Sequence, residues 1–185
     1  MTPRERWLDE GLALLTTSGF VALTIEALCS RLRLSKGSFY HHFRGMAGYK
    51  SALLEHFERH GTQAFIDHVE SVAMPDGAGK LRRLVEAVAA DDQHEDLEAQ
   101  VRIWASQEMV AREYLERIDG QRVEFLRRQC RAITGDTGLG DDVAQMIYLI
   151  LIGGTHLVPT VPNADQARLW ERLIGFLEAE AEGSS

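Results

Sequence analysis

The sequence predicts an all-α protein. Apolar residues recur at helical spacing from one end of the chain to the other, strand-like alternation is nearly absent, and capping or breaking residues separate the periodic runs. With 185 residues the chain is long enough to bury a core without metal or disulfide support, as one domain or two small ones. Its 45% hydrophobic and 26% charged content is ordinary for a globular protein.

The first helix opens on Thr2-Pro3-Arg4-Glu5. Thr2 caps it, Pro3 takes the first helical position and Glu5 reaches back, which makes a capping box. Trp7, Leu8, Leu12, Leu14 and Leu15 form its apolar stripe, and Gly19 ends it. Thr24 caps a short helix through about Leu32, with Ile25, Leu28 and Leu32 on one face. Ser35 caps another through about Phe43. A long helix is expected from Met46 to Ala73, ended by Met74-Pro75-Asp76-Gly77. Further helices are expected over 78–90, 95–107 and 109–134, with Gly135 to Gly140 as a turn-rich connection. Two more, over 141–157 and 164–181, close the chain, the last one started by Asn163 and Gln166 as a second capping box.

Charge is distributed unevenly. The whole chain carries −8, yet residues 1–50 hold seven Lys/Arg against four Asp/Glu, a net +3, and residues 51–185 hold −11. A basic end on an acidic body is the asymmetry expected when one end meets phosphate. Within the basic end lies Ser35-Lys36-Gly37-Ser38-Phe39-Tyr40-His41-His42-Phe43. Two short helices joined by Arg33-Leu34 and flanked by packing helices are the parts of a helix-turn-helix, whose second helix enters the DNA major groove. Ser35 then caps the recognition helix, Lys36 adds charge at its start, Gly37 lets the backbone approach DNA, and Ser38, Tyr40 and His41 reach base or phosphate. Phe39 or Phe43 anchors it to the core; His42 suits either a structural or a contacting role.

The run from Thr24 to Phe43, TIEALCSRLRLSKGSFYHHF, resembles the DNA-binding segment of TetR-family transcriptional regulators, in its capping Thr24, core Leu28, Leu34-Ser35, Gly37 and Tyr40-x-His42-Phe43, with Lys50 beyond. The resemblance covers roughly residues 5–60. It implies an N-terminal three-helix DNA-binding domain, residues 1–45, and a C-terminal helical ligand-binding and dimerisation domain, residues 46–185. The implied DNA-contacting set is Thr24, Lys36, Ser38, Tyr40, His41 and Lys50, to which Arg33, Ser35, Gly37 and His42 are added from the local reading. Two positions depart from the pattern. Arg33 stands where the turn commonly has glycine, so the backbone there either avoids positive φ or accepts strain. Met46 stands where the family frequently has lysine, leaving Lys50 or Arg44 to replace that phosphate contact.

Surplus apolar surface on the last two helices suggests a subunit interface, with Met146, Ile150, Gly153, Gly154, Leu169, Trp170, Leu173, Phe176 and Leu177 as candidates. Two helices from each subunit would form a four-helix bundle, and the two-fold dimer would meet a palindromic operator in double-stranded DNA. Trp104, Met109, Tyr114, Phe125, Tyr148 and His156 are candidates to line a site for an unidentified small-molecule effector, although core packing alone accounts for each singly. The expected function is a ligand-responsive repressor; the alternative is a helical ligand-binding or scaffolding protein that no longer binds DNA.

Other chemistries find little support. GxSxG, P-loop and dinucleotide fingerprints are missing, and Asp91-Asp92 and Asp141-Asp142 read as helix-terminal charge, so no enzyme, catalytic residue or cofactor is expected. His56 and His60 have the spacing of metal ligands without a third partner, so a solvated helix face and no metal are expected. Cys29 and Cys130 are expected to be reduced thiols. The longest apolar run, Met146 to Ile152, falls far short of the roughly 20 residues a bilayer requires. The first residues lead into a patterned helix and not an apolar leader, so a cytoplasmic location is expected.

Overall fold

The computed structural model describes residues 2–71, 76–90 and 94–183. Every regular element among them is helical: α1 (Pro3–Ser18), α2 (Ile25–Leu32), α3 (Lys36–Phe43), α4 (Met46–Glu58), α5 (Ala64–Glu70), α6 (Gly77–Ala89), α7 (His94–Ala105), α8 (Met109–Thr134), α9 (Thr137–His156) and α10 (Asn163–Gly183). The all-α fold expected from periodicity is the fold observed. Among the described residues no helix is long and apolar enough to cross a membrane. Packing divides the chain into two units. The first comprises residues up to Gly61 with Asp96–Arg117, the second Thr62–Glu95 with residues from Ile118 onward.

Local sequence sets the first three helices. The Thr2 hydroxyl accepts from the Glu5 amide at 3.2 Å and the Glu5 carboxylate from the Thr2 amide at 2.6 Å, completing the capping box. Gly19, at φ 74°, stops α1. Thr24 and Ser35 each accept from the amide three residues on and start α2 and α3. In the first unit the core gathers around Trp7, Phe39, Phe43 and Tyr49. Phe39 meets Trp7 edge-on at 5.5 Å and lies 5.3 Å from both Phe43 and Tyr49. The Tyr49 hydroxyl donates to the Trp7 carbonyl at 2.8 Å, and burial pushes its phenol well above the ordinary range, so it stays a neutral donor. This bond requires α1 and α4 to pass close together at Gly11, where a Cβ would stand 1.9 Å from the Tyr49 hydroxyl oxygen.

The second unit packs α6, α9, α10 and the latter part of α8 around Leu81, Val85, Leu126, Cys130, Val143, Ile147, Trp170, Ile174 and Leu177. The Trp170 indole donates to the Ile147 carbonyl at 3.0 Å. Arg82 forks onto both carboxylate oxygens of Glu178 at 2.9 and 2.8 Å, tying α6 to α10. Desolvation pushes the Cys130 thiol up to about 12, so it packs as a small apolar group.

Four expectations need correction. The helix from Met46 is interrupted by a widened π turn at Arg59–Gln63, containing the poor helix former Gly61, and α5 ends at Glu70. The Met74-Pro75 break lies outside the described residues. The connection at 135–140 is mostly helix, because Asp136 accepts from the Gly138 and Leu139 amides and starts α9 at Thr137. Gln166 makes no capping box: its buried side chain donates to the Val161 carbonyl at 2.9 Å. His56 does not lie on a solvated face; it is 3% exposed, and its Nε2 is 2.7 Å from the Asp9 carboxylate on α1.

Gly11→Ala should lower the melting temperature by several degrees. Overpacking costs about 1–3 kcal/mol, more than the roughly 1 kcal/mol that alanine gains over glycine inside a helix. Thermal denaturation monitored by circular dichroism gives the sign.

Candidate nucleic-acid interface

The polar residues of the helix-turn-helix stand on the side that α3 does not bury. Phe39 and Phe43 face the aromatic core, while Lys36, Gly37, Tyr40 and His41 are exposed, Tyr40 to 52%. Both aromatic anchors are therefore used, where the sequence required only one. Thr24, Arg33 and Ser35 are exposed as well, and Ser38 is partly so. His42 is half-buried, its ring 5.9 Å from Phe43, which sets it toward the structural side. Gly37 has room: a Cβ there would meet only the Ser35 hydroxyl, at 3.7 Å. Nothing within the chain requires glycine at that point.

The turn accepts strain. Arg33 has φ 55° and ψ 41°, a left-handed conformation that costs a side-chain-bearing residue about 1–2 kcal/mol. Its amide bonds back to the Cys29 and Ser30 carbonyls, closing α2.

Carboxylates hold several of the cations nearby. Arg31 pairs with Glu10 across α1 and α2, and Lys36 pairs with Glu26, both at the surface. Lys50 is more firmly fixed. It donates to both carboxylate oxygens of Glu108 at 2.7 and 2.8 Å, with its ammonium 5.9 Å from the Trp104 ring centroid. Lys50, expected as a phosphate contact, is thus engaged within the chain: both side chains are mostly buried, and this carboxylate already neutralises the ammonium.

The remaining candidates divide between the two units. In the first, Trp104 is buried and stacked on Phe20, Met109 is exposed at the start of α8, and the Tyr114 hydroxyl donates to Glu55 at 3.1 Å beneath Arg117. In the second, Phe125 is core, the Tyr148 hydroxyl donates to Asp119 at 2.6 Å, and His156 is exposed beside the Thr155 hydroxyl. Of the interface candidates, Met146, Gly153, Leu169 and Phe176 are exposed, and Ile150 and Leu173 partly so. Gly154, Trp170 and Leu177 are instead buried within the chain; Trp170 and Leu177 lie in the second unit's core, and a Cβ on Gly154 would come 2.5 Å from the Gln166 side chain. Sequence reasoning missed the outward-facing Leu149 and the Lys50–Glu108 pair.

Residues 8–48 match the family model described as bacterial regulatory proteins, tetR family. Over these residues the chain is similar to the TetR family of regulators. The transcriptional regulator AcuR of Cereibacter sphaeroides is similar, 39% identical over 61 residues, which is 31% of this chain and 28% of AcuR. The match thus spans well under a third of that relative's length. Solved structures share the TetR-family fold across the whole chain. Salmonella enterica GusR superimposes with a TM-score of 0.75 over 98% of both chains at 17% identity. The reduced form of Escherichia coli NemR does so with a TM-score of 0.72 over 95% of this chain and 96% of its own, at 16% identity. The matching family model describes regulatory proteins, and AcuR is a transcriptional regulator.

The Lys50–Glu108 pair has a pH signature. The hydrogen bond from Lys50 holds the Glu108 carboxyl below its ordinary range, so its stabilisation is full above that range and is lost as pH falls through the lower folded value. Glu108→Gln should melt about 2 °C lower than wild type at neutral pH, with the gap closing as pH drops below about 4. Calorimetry across a pH series measures this.

Proposed function

We propose that the chain is a homodimeric repressor that binds a palindromic operator through α3 and is released by a small-molecule effector. The observation that carries the DNA part is the division of α3 into two faces: Phe39 and Phe43 are used up in the core, while Lys36, Gly37, Tyr40 and His41 are exposed on the other side. A glycine that the fold itself does not need is explained by an external surface that must come close. Arginine, lysine and hydroxyl groups at the start of a helix suit phosphate oxygens and base edges.

The dimer is supported by the outer stripes of α9 and α10. Met146, Leu149, Ile150 and Gly153 fall at helical spacing on one face of α9, with Met146 50% and Leu149 59% exposed. Leu169, Leu173 and Phe176 do the same on α10, with Phe176 45% exposed. A second copy covering both stripes would make a four-helix bundle and present two recognition helices about one DNA turn apart. The effector part is supported by the second unit's apolar core, at which the Tyr148 hydroxyl donates to the Asp119 carboxylate, a mixture of apolar surface and polar groups that small-molecule sites use. Its binding would favour a dimer with a different recognition-helix separation and so lower DNA affinity. A scaffold that has lost DNA binding is the competing reading, favoured by the carboxylates on Arg31, Lys36 and Lys50.

Selection of genomic fragments on the purified protein should recover a palindrome. Its affinity should fall steeply with salt, and the Lys36→Ala/Tyr40→Ala double variant should recover none. Enrichment of no sequence, even after refolding to strip a bound effector, would favour the scaffold. Light scattering at micromolar concentration should give twice the chain mass for wild type and the single-chain mass for Leu149→Asp/Phe176→Asp.

A further inference from the structure

We propose that Arg33 and Arg44 are a matched pair of DNA-phosphate contacts, one at each end of the recognition helix. The proposal rests on the reading of α3 as the DNA-binding helix. Among the described residues five non-terminal positions take positive φ: Gly19, Gly45 and Gly135, and the two arginines, each at φ 55°. The chain thus places glycine, which adopts this conformation freely, at every such position except the two that flank α3. Arg33 closes α2 just before the helix, and Arg44 caps α3 itself, its amide bonded to the Tyr40 carbonyl at 3.3 Å. Two strained arginines are costlier for the fold than two glycines would be, so what keeps them there is a use for the side chain.

Both guanidiniums are available. Arg33 and Arg44 are exposed and make no ion pair with a described residue, whereas Arg31, Lys36 and Lys50 are held by Glu10, Glu26 and Glu108. Of the two residues that the sequence offered in place of a lysine at Met46, the geometry points to Arg44 and away from Lys50. Their spacing also fits. The eight residues of α3 rise about 12 Å, comparable to the width of the major groove. Side chains leaving both ends of the helix can therefore reach phosphates on opposite walls of the groove. The planar guanidinium fork matches phosphate oxygens in pairs.

The test uses the full-length protein, a duplex recovered by selection, and fluorescence anisotropy over a potassium chloride series. Arg33→Gly and Arg44→Gly should each raise the melting temperature by about 2 °C while weakening binding roughly tenfold. Each should also make the log–log salt dependence shallower by about two units, one for each protomer of the dimer, without changing which sequences are preferred. Arg33→Asn and Arg44→Asn, which keep a residue tolerant of this conformation, should lose the same salt dependence; Lys50→Ala should not. Wild-type affinity and slope in the glycine and asparagine variants would overturn the proposal and leave the regulator reading intact. Failure of the wild-type protein to retain any duplex would overturn both.

Discussion

Burial of Phe39 and Phe43 is the constraint on which the DNA-binding end depends. An isolated helix shorter than about 12 residues is marginal in water, and α3 has eight. Its stability has to come from packing, and the packing is aromatic: Phe39 touches Trp7 and Tyr49, and Phe43 meets Tyr49 edge-on at 4.9 Å. Tyr49 in turn is fixed by its hydroxyl on the Trp7 carbonyl, and that bond is possible only because residue 11 has no side chain. The exposed face of α3 is free to carry polar groups because the buried face meets the energetic requirement alone.

The same economy explains the electrostatics. An acidic chain that must approach phosphate has to control where its cations point. Glu10, Glu26 and Glu108 each take one cation, and the last pair is substantially buried. An exposed pair such as Lys36–Glu26 exchanges readily with an incoming phosphate, whereas Lys50 has Trp104 beside it and two carboxylate oxygens to satisfy it. Lys50 is better understood as a clamp between α4 and the start of α8 than as a DNA contact.

Much of this was legible in the sequence wherever the cause is local. Thr2, Gly19, Thr24 and Ser35 each act on residues within one turn, and the boundaries of α1 to α3 follow from them. Contacts made across long separations were not legible. Lys50 meets Glu108 across 58 positions and His56 meets Asp9 across 47, and no spacing rule joins such residues. On α9 and α10 the apolar stripe is wide enough to serve two neighbours, so its composition did not separate the inner face of Trp170 and Leu177 from the outer face of Leu149 and Phe176. At Asp136 a strong cap prevailed over three nearby glycines, which is why a predicted turn became the first turn of α9.

Hydroxyl-radical footprinting of the protein on a selected duplex tests the central claim most directly, because it reads contact geometry instead of affinity alone. The account predicts two protected windows on one face of the DNA, centred about one helical turn apart, each lost when Lys36 and Tyr40 are replaced by alanine. A uniform, sequence-independent pattern that the double substitution leaves unchanged would contradict it.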